Sequence, residues 1–111
     1  MSTFHSLKKN KEFQVVYRRG NSLANRYLVM YTRKRDDEGE NRVGISVSKK
    51  VGNSVVRHRL KRQIRECYRI RCNEAARGYD LVIIAREKCR DRTYQEIEGA
   101  LLKLMKSHHL M

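Results

Sequence analysis

The chain has 111 residues and a mass of 13.2 kDa, a length that supports one domain with a modest core. It carries 26 Lys and Arg residues against 12 Asp and Glu residues, a formal net charge of +14, and 40% of its residues are hydrophobic. This composition excludes a disordered basic tail, and the longest apolar run, residues 81–85, is too short to cross a bilayer. No secretory signal sequence opens the chain, so we expect a soluble, cytoplasmic protein. Its charge predicts an anionic partner, nucleic acid before an anionic membrane.

The first half of the chain predicts one helix followed by strands. Asn10 is a suitable cap for a helix that runs to about residue 19, where Gly20 ends it. Residues 21–24 form a short extended segment, and residues 26–33 and 42–48 alternate as two strands. We expect these strands to pair as an antiparallel hairpin, with the four acids of residues 36–40 at its solvated tip. A metal site made of those neighbouring carboxylates is the less favoured interpretation.

The second half predicts a long helix, a buried strand and a final helix. The long helix covers residues 54–76 and ends before Gly78, and the apolar strand over residues 79–86 indicates burial on both faces. Thr93 and Glu96 form a capping box that opens the last helix. The order α-β-β-β-α-β-α predicts the α+β class, a two-layer sandwich with helices on a four-stranded mixed sheet in one domain, residues 1–111. Three cysteines without a Cys-x-x-Cys pair favour free thiols over a structural metal.

The long helix has two faces of opposite character. Residues 49–71 hold nine Lys and Arg residues and one acid, Glu66, which lies one turn from Arg62. At 100° per residue, cations fill one arc, and the opposite arc is apolar, with Val56, Leu60, Ile64, Cys67 and Ile70. Each like-charged pair one turn apart costs roughly 0.2–0.5 kcal/mol in a helix. The arc is either a solvated face or a docking face for a polyanion, which would relieve this repulsion.

Four aromatic residues add a second feature. Phe13 and Tyr17 lie one turn apart on the first helix, and Tyr27 and Tyr31 share a face of the first long strand. Such rings serve either as ordinary core or as platforms on which unpaired bases stack beside a cationic groove. The sequence shows no catalytic constellation, so we expect no catalytic residue and no metal ligand in this chain.

Several blocks, in order, resemble the bacterial ribonuclease P protein component. The strongest is residues 48–66, SKKVGNSVVRHRLKRQIRE, and others are residues 7–13 (LKKNKEF), 18–26, 42–50 (RVGISVSKK) and 78–86 (GYDLVIIAR). The resemblance covers nearly the whole chain. It implies the same element order, with a left-handed βαβ crossover that periodicity does not reveal. The chain departs from the family at the centre of the signature, where Arg57-His58-Arg59 replaces the usual Arg-Asn-Arg.

The resemblance implies a protein subunit that works with a large catalytic RNA and precursor tRNA. That RNA hydrolyses one phosphodiester bond and releases the 5′ leader, with Mg²⁺ bound mainly by RNA and substrate. Residues expected to contact the catalytic RNA are Lys49, Lys50, Arg57, His58, Arg59, Lys61, Arg62, Arg65 and Arg69. Residues expected to line the leader cleft are Lys9, Asn10, Phe13, Tyr17, Tyr31, Ser46 and Ser48.

Two other function classes stay open at this stage. One is a basic RNA-binding module of another assembly, such as a ribosomal protein, which would show no dependence on a 5′ leader. The other is a free-standing nuclease or DNA-binding protein. The long helix disfavours the DNA-binding alternative because it has few Asn or Gln side chains to read base edges.

Overall fold

The structure, a computed structural model, describes residues 4–111, so the predicted domain begins three residues before this range. The described residues form five strands and three helices: β1 (His5–Ser6), α1 (Asn10–Arg19), β2 (Asn21–Ala24), β3 (Leu28–Lys34), β4 (Arg42–Ser46), α2 (Ser54–Arg71), β5 (Tyr79–Ala85) and α3 (Tyr94–Ser107). Short 3₁₀ turns follow α2 at Cys72–Glu74 and β5 at Glu87–Cys89. The predicted α+β class is confirmed.

The strands form one mixed sheet in the order β1-β4-β5-β3-β2. Strand β5 pairs parallel to β4 and antiparallel to β3, so the predicted hairpin between the strands at 26–33 and 42–48 is wrong. Strand β5 has a strong apolar run, which suits its place in the centre of the sheet, where both of its faces are covered. The sheet has five strands rather than the predicted four, because β1 adds a two-residue parallel edge to β4. Helix α2 connects the parallel pair, and the left hand of this crossover stays a prediction.

The two faces of the sheet carry different helices. Ile83 of β5 is fully buried in a cluster with Ile64 of α2 and Leu101 of α3. Its neighbour Val82 belongs to a second cluster with Val16 of α1. Since successive strand residues point to opposite faces, α1 lies on the face opposite α2 and α3. The sheet with α2 and α3 forms the expected two-layer sandwich, and α1 covers part of the other face.

Helix ends differ from the predictions in two places. Asn10 is the first residue of α1, and Lys9 precedes it as the cap; Glu12 accepts hydrogen bonds from the backbone N–H groups of Lys8 and Lys9, at 3.2 and 3.1 Å. Helix α2 stops at Arg71, five residues before the predicted end, because the chain tightens into the 3₁₀ turn there. The capping box that opens α3 is confirmed by hydrogen bonds of 3.0 and 3.1 Å between Thr93 and Glu96.

The buried face of α2 is displaced around the helix from the predicted one. Leu60, Ile64 and Cys67 are buried as expected, and Tyr68 joins them, with its hydroxyl accepting a 3.0 Å hydrogen bond from Asn41. Ile70 was placed with the apolar arc, but it is 48% exposed. It lies about 80° from Leu60 on one side of the helix, whereas the buried Tyr68 lies about 80° from Leu60 on the other side, so the core covers the side of Tyr68.

The structure also tests the predictions for the acidic segment, the cysteines and membrane-spanning helices. The acidic segment at 36–40 links β3 to the non-adjacent β4, so it is a connection and not a hairpin tip. Cys67, Cys72 and Cys89 are buried and form no disulfide. No helix within residues 4–111 is both long and apolar enough to span a membrane.

Candidate nucleic-acid interface

Three aromatic rings come together on the sheet face that carries α1. Phe13 and Tyr17 project from α1, and Tyr31 projects from β3. The ring centroids of Phe13 and Tyr17 are 6.4 Å apart, and those of Tyr17 and Tyr31 are 5.0 Å apart at an angle of 71°. All three side chains are half-buried, so part of each ring stays accessible. We call these rings and the adjoining face of β4 the aromatic cleft.

The floor of the aromatic cleft depends on a glycine in β4. Phe13 lies so close to Gly44 that a Cβ atom at this position would overlap the ring. Glycine therefore allows the helix to approach the strand backbone. Ser46 follows two residues later on the same face and is half-buried, and Ser48, two residues beyond the end of the strand, is exposed.

The remaining residues predicted for the cleft stand at its rim. Lys9 and Asn10 are exposed at the N-terminal end of α1, three to four residues before Phe13. Burial raises the pKa of Tyr17, with a smaller contribution from Tyr31, so its hydroxyl is neutral and can donate a hydrogen bond near pH 7.

The predicted shared face of Tyr27 and Tyr31 is wrong, because Tyr27 precedes β3 and packs against the cluster on the α2 and α3 side.

A buried carboxylate organises the end of the sheet beside the first turn of α1. Asp80, 1% exposed, accepts two hydrogen bonds of 2.7 Å from Arg42, one of 3.0 Å from Arg35 and one of 3.3 Å from Arg33. Burial raises the pKa of Asp80, but the hydrogen bonds from Arg42 and Arg35 outweigh that effect, so the pKa lies below its ordinary value. Arg42 also donates to Glu12 of α1, at 3.2 Å, and so connects this helix to the sheet.

Sequence reasoning missed this network, although the chain contained a signal for it. Asp80 interrupts an otherwise apolar run in a strand predicted to be buried on both faces. A buried carboxylate needs positive partners or hydrogen-bond donors. Arg42 begins the other buried strand, but its position next to Asp80 follows from the parallel pairing of β4 and β5, which the sequence analysis did not predict.

The exposed arc of α2 carries cations with few internal partners. Asn53 caps the helix by accepting a 3.0 Å hydrogen bond from the backbone N–H of Val56. Within the described residues, no ion pair involves the half-buried Arg57 or any of the exposed His58, Lys61, Arg62 and Arg65. We call this set, together with the exposed Lys49 and Lys50 of the preceding turn, the cationic face.

Two predicted RNA-contacting residues differ from the rest. Arg59 lies about 200° around the helix from Arg57, and it donates a 2.6 Å hydrogen bond to the backbone carbonyl of Arg90, away from the cationic face. Glu66 was expected to lie near Arg62, but it pairs with Arg69 instead, with a 3.0 Å contact between Nε and Oε2. Arg69 is therefore already partly neutralised.

One side chain of the cationic face extends to the edge of the sheet. Arg65 donates a 2.8 Å hydrogen bond to the hydroxyl of Ser6 in β1, which pairs with β4. The cationic face thus borders the edge strand next to β4, the strand that forms the floor of the aromatic cleft. This arrangement suits a polyanion that contacts both surfaces, with guanidinium groups on phosphates and rings on bases.

Comparison with known proteins gives a consistent result. The family model described as Ribonuclease P matches residues 1–109. A ribonuclease P protein component from Clostridium novyi (strain NT) is 54% identical over 101 residues, covering 90% of this chain and 89% of the relative. One from Alkaliphilus metalliredigens (strain QYMF) is 46% identical over 111 residues, covering 100% and 99%.

Solved structures show the same similarity in three dimensions. The RNase P protein of Staphylococcus aureus, at 37% identity, superimposes with a TM-score of 0.89 over 97% of this chain and 98% of that chain. The RNase P protein of Thermotoga maritima, at 31% identity, gives a TM-score of 0.84 over 93% and 96%.

Proposed function

Because the chain belongs to the ribonuclease P protein family, we propose that its cationic face binds the catalytic RNA and its aromatic cleft binds the 5′ leader of precursor tRNA. The chain is a protein subunit of ribonuclease P and takes part in the removal of that leader. The assignment of the two RNAs to these surfaces rests on one observation: half-exposed rings lie across the β1 edge of the sheet from cations that form no ion pair within residues 4–111.

The cationic face favours a structured RNA as its partner. Arg57, Lys61 and Arg65 succeed one another at intervals of one turn and repel one another in the free protein. Phosphates that approach this face remove the repulsion and release condensed counterions, so binding gains free energy that the free protein lacks. Arginine adds two-pronged contacts to phosphate that lysine does not form.

The aromatic cleft favours an unpaired strand. A ring stacks on a base only when that base is not already stacked within a duplex, and the 5′ leader supplies such bases. The ring centroids of Tyr31 and Tyr17 are 5.0 Å apart, and those of Tyr17 and Phe13 are 6.4 Å apart. The hydroxyl of Ser46 on that face and the hydroxyl of the exposed Ser48 just beyond β4 offer hydrogen bonds to sugar or phosphate groups. The cleft thus provides contacts for the leader that mature tRNA does not use.

The proposal assigns hydrolysis to the RNA subunit. The family resemblance implies Mg²⁺, but within residues 4–111 no three His, Cys, Asp or Glu side chains lie close enough to hold a metal ion together. The described residues therefore do not fit a resident metal site. We assign Mg²⁺ to the RNA and the substrate, and we assign no protein side chain a role in bond cleavage. We place the assembly in the cytoplasm, where precursor tRNA is made.

Reconstitution with ribonuclease P RNA tests the proposal. We expect the holoenzyme to cleave precursor tRNA, the protein alone to cleave none, and the holoenzyme to bind precursor tRNA more tightly than leaderless tRNA. Tyr31→Leu removes one stacking ring, and loss of stacking on one base is worth roughly 1–3 kcal/mol. Affinity for the leader-bearing substrate should therefore fall about fivefold or more, while affinity for leaderless tRNA is unchanged.

A matched variant controls for the loss of a tyrosine. Tyr27→Leu changes a half-buried ring that lies just before the same strand but packs on the other side of the sheet. We expect this variant to bind both substrates like the wild type. If Tyr31→Leu lowers affinity equally for both substrates, Tyr31 is an ordinary core residue and not a stacking platform. Cleavage by the protein alone would refute the assignment of hydrolysis to the RNA.

A further inference from the structure

Helix α1 carries two rings of the aromatic cleft but has a small apolar attachment to the sheet. Val16 is its one buried residue, and it packs in a cluster whose other buried members are Leu7 and Val82. Phe13 and Tyr17 remain half-buried in the same cluster. A helix held by so few apolar contacts needs another constraint if its rings are to keep one position.

Glu12 supplies a polar constraint one residue before Phe13. One of its carboxylate oxygens accepts hydrogen bonds from the backbone of Lys8 and Lys9, which closes the first turn of α1. The other oxygen accepts a hydrogen bond of 3.2 Å from Arg42 of β4. The side chain of Glu12 therefore closes the first turn of α1 and also connects that turn to strand β4 of the sheet.

Arg42 is itself held in place. Its guanidinium donates through Nε and Nη2 to the two oxygens of Asp80, both at 2.7 Å, and the Asp80 side chain is 2% exposed. This fork geometry sets the plane of the guanidinium and directs the remaining nitrogen, Nη1, toward Glu12. Because Asp80 lies in β5, the central strand, these contacts fix the position of Glu12 relative to the centre of the sheet.

The residues that meet α1 follow one another along one face of β4. Arg42, Gly44 and Ser46 occupy alternate positions, so they point to the same side at intervals of about 6.6 Å. Arg42 contacts Glu12, Gly44 receives the ring of Phe13, and Ser46 comes next in the cleft. The ionic contact and the ring contact are therefore neighbours on both the helix and the strand.

We propose that Glu12 and Arg42 are positioning residues that set the place of Phe13 in the aromatic cleft and thereby determine affinity for the 5′ leader. This inference rests on the proposed binding of the leader in that cleft. It assigns to the Glu12–Arg42–Asp80 chain a role in substrate binding that is separate from contact with RNA, because Glu12 contacts the protein and acts on the leader through the position of Phe13.

Glu12→Gln in the reconstituted holoenzyme tests the inference. Glutamine keeps an oxygen for the backbone of Lys8 and Lys9, but it presents an uncharged amide to Arg42. We expect affinity for precursor tRNA to fall about fivefold, the upper range for one partly exposed ionic contact. Affinity for leaderless tRNA and the cleavage rate at saturating substrate should stay at the wild-type values.

Glu96→Gln is the matched control, because Glu96 occupies the corresponding position in α3. It accepts a backbone hydrogen bond at the helix start and lies 3.7 Å from an arginine, Arg92, on an element remote from the cleft. Both variants are assayed at a temperature at which thermal unfolding shows them to be folded. The control should bind precursor tRNA and leaderless tRNA as the wild type does.

A double-mutant cycle separates positioning from a general structural effect. In a Phe13→Leu background, Glu12→Gln should lower leader affinity by less than about twofold, because the group through which it acts is gone. Multiplying effects, or equal losses for the two substrates, would overturn the positioning role. If the wild type itself shows no preference for the leader, the proposed function fails first; a preserved preference that Glu12→Gln leaves unchanged overturns this inference alone.

Discussion

Replacing Asp80 by Asn removes the charge at the centre of the arginine network while conserving side-chain size. The wild-type carboxylate accepts four hydrogen bonds from Arg33, Arg35 and Arg42. Asparagine has one oxygen for these donors, and its amide NH₂ directs its own donors at the guanidinium groups. The Arg35 side chain is only 10% exposed, so water replaces little of what it loses.

The expected cost follows from burial. Removing one partner of a buried ion pair costs about 3–5 kcal/mol, and the Arg33 and Arg42 side chains, 27% and 35% exposed, recover part of their solvation from water. We therefore expect the lower value, about 3 kcal/mol of unfolding free energy. With about 2.1 cal/mol/K of unfolding entropy per residue, a chain of this length should lose about 13 °C in Tm.

Thermal unfolding of the free protein at pH 7 measures this effect, with Asp37→Asn as the control. Asp37 also pairs with Arg35, at 2.8 Å, but its side chain is 64% exposed, so its replacement should change Tm far less. A loss of less than about 3 °C for Asp80→Asn would show that the network does not stabilise the fold. Stability contributed by Asp80 is present above its ordinary pKa of 3.8 and is lost as the pH falls through the lower folded value. The variant should therefore lose less stability than the wild type on acidification.

Two further predictions concern other parts of the chain. The first is a triple change to Ala on the cationic face, which should weaken RNA association and reduce the slope of log K against log salt by about one for each cation, with Tm unchanged or higher; a marked fall in Tm would show a structural role for the residues changed, Arg57, Lys61 and Arg65. The second concerns His108, whose ring nitrogens contact the Met30 carbonyl at 2.9 Å and the Thr32 hydroxyl at 3.2 Å, and whose pKa burial lowers. The unfolded chain takes up the proton first as the pH falls below about 6.5, so stability should fall there, and His108→Gln should remove that part of the pH dependence in denaturant titrations; an unchanged pH profile would contradict this.

Local patterns predicted most of the individual elements. The alternation of Val43, Ile45 and Val47 indicated a strand, and the spacing of Leu60 and Ile64 indicated the buried side of α2. These patterns succeed because a side chain's direction depends only on the residue's own place in a helix or strand. The same patterns led to the wrong expectation for Ile70, because they do not show which side of the helix the core covers: Tyr68 is buried there and Ile70 is exposed.

Pairing between strands was beyond the reach of these patterns. Alternation indicates that residues 26–33 and 42–48 each have an inward face, but it does not identify the neighbouring strand, and β5 inserts between them. The two-residue strand β1 is too short to show any period. The predicted site shows the same division. Helix geometry gives the cationic face and places Arg59, about 200° from Arg57, outside it. Only the tertiary structure shows that Arg59 donates to the carbonyl of Arg90.

The sequence by itself determined that one helix presents a self-repelling row of cations, and its ordered blocks pointed to the ribonuclease P protein family. Only the tertiary structure decided which residues share a site. It placed Asp80 beside Arg42, and Phe13 against Gly44, although the members of each pair are about 30 or more residues apart in the chain. Such contacts depend on burial and hydrogen bonds formed between distant segments, and their free energy has no counterpart in the periodicity of any one segment.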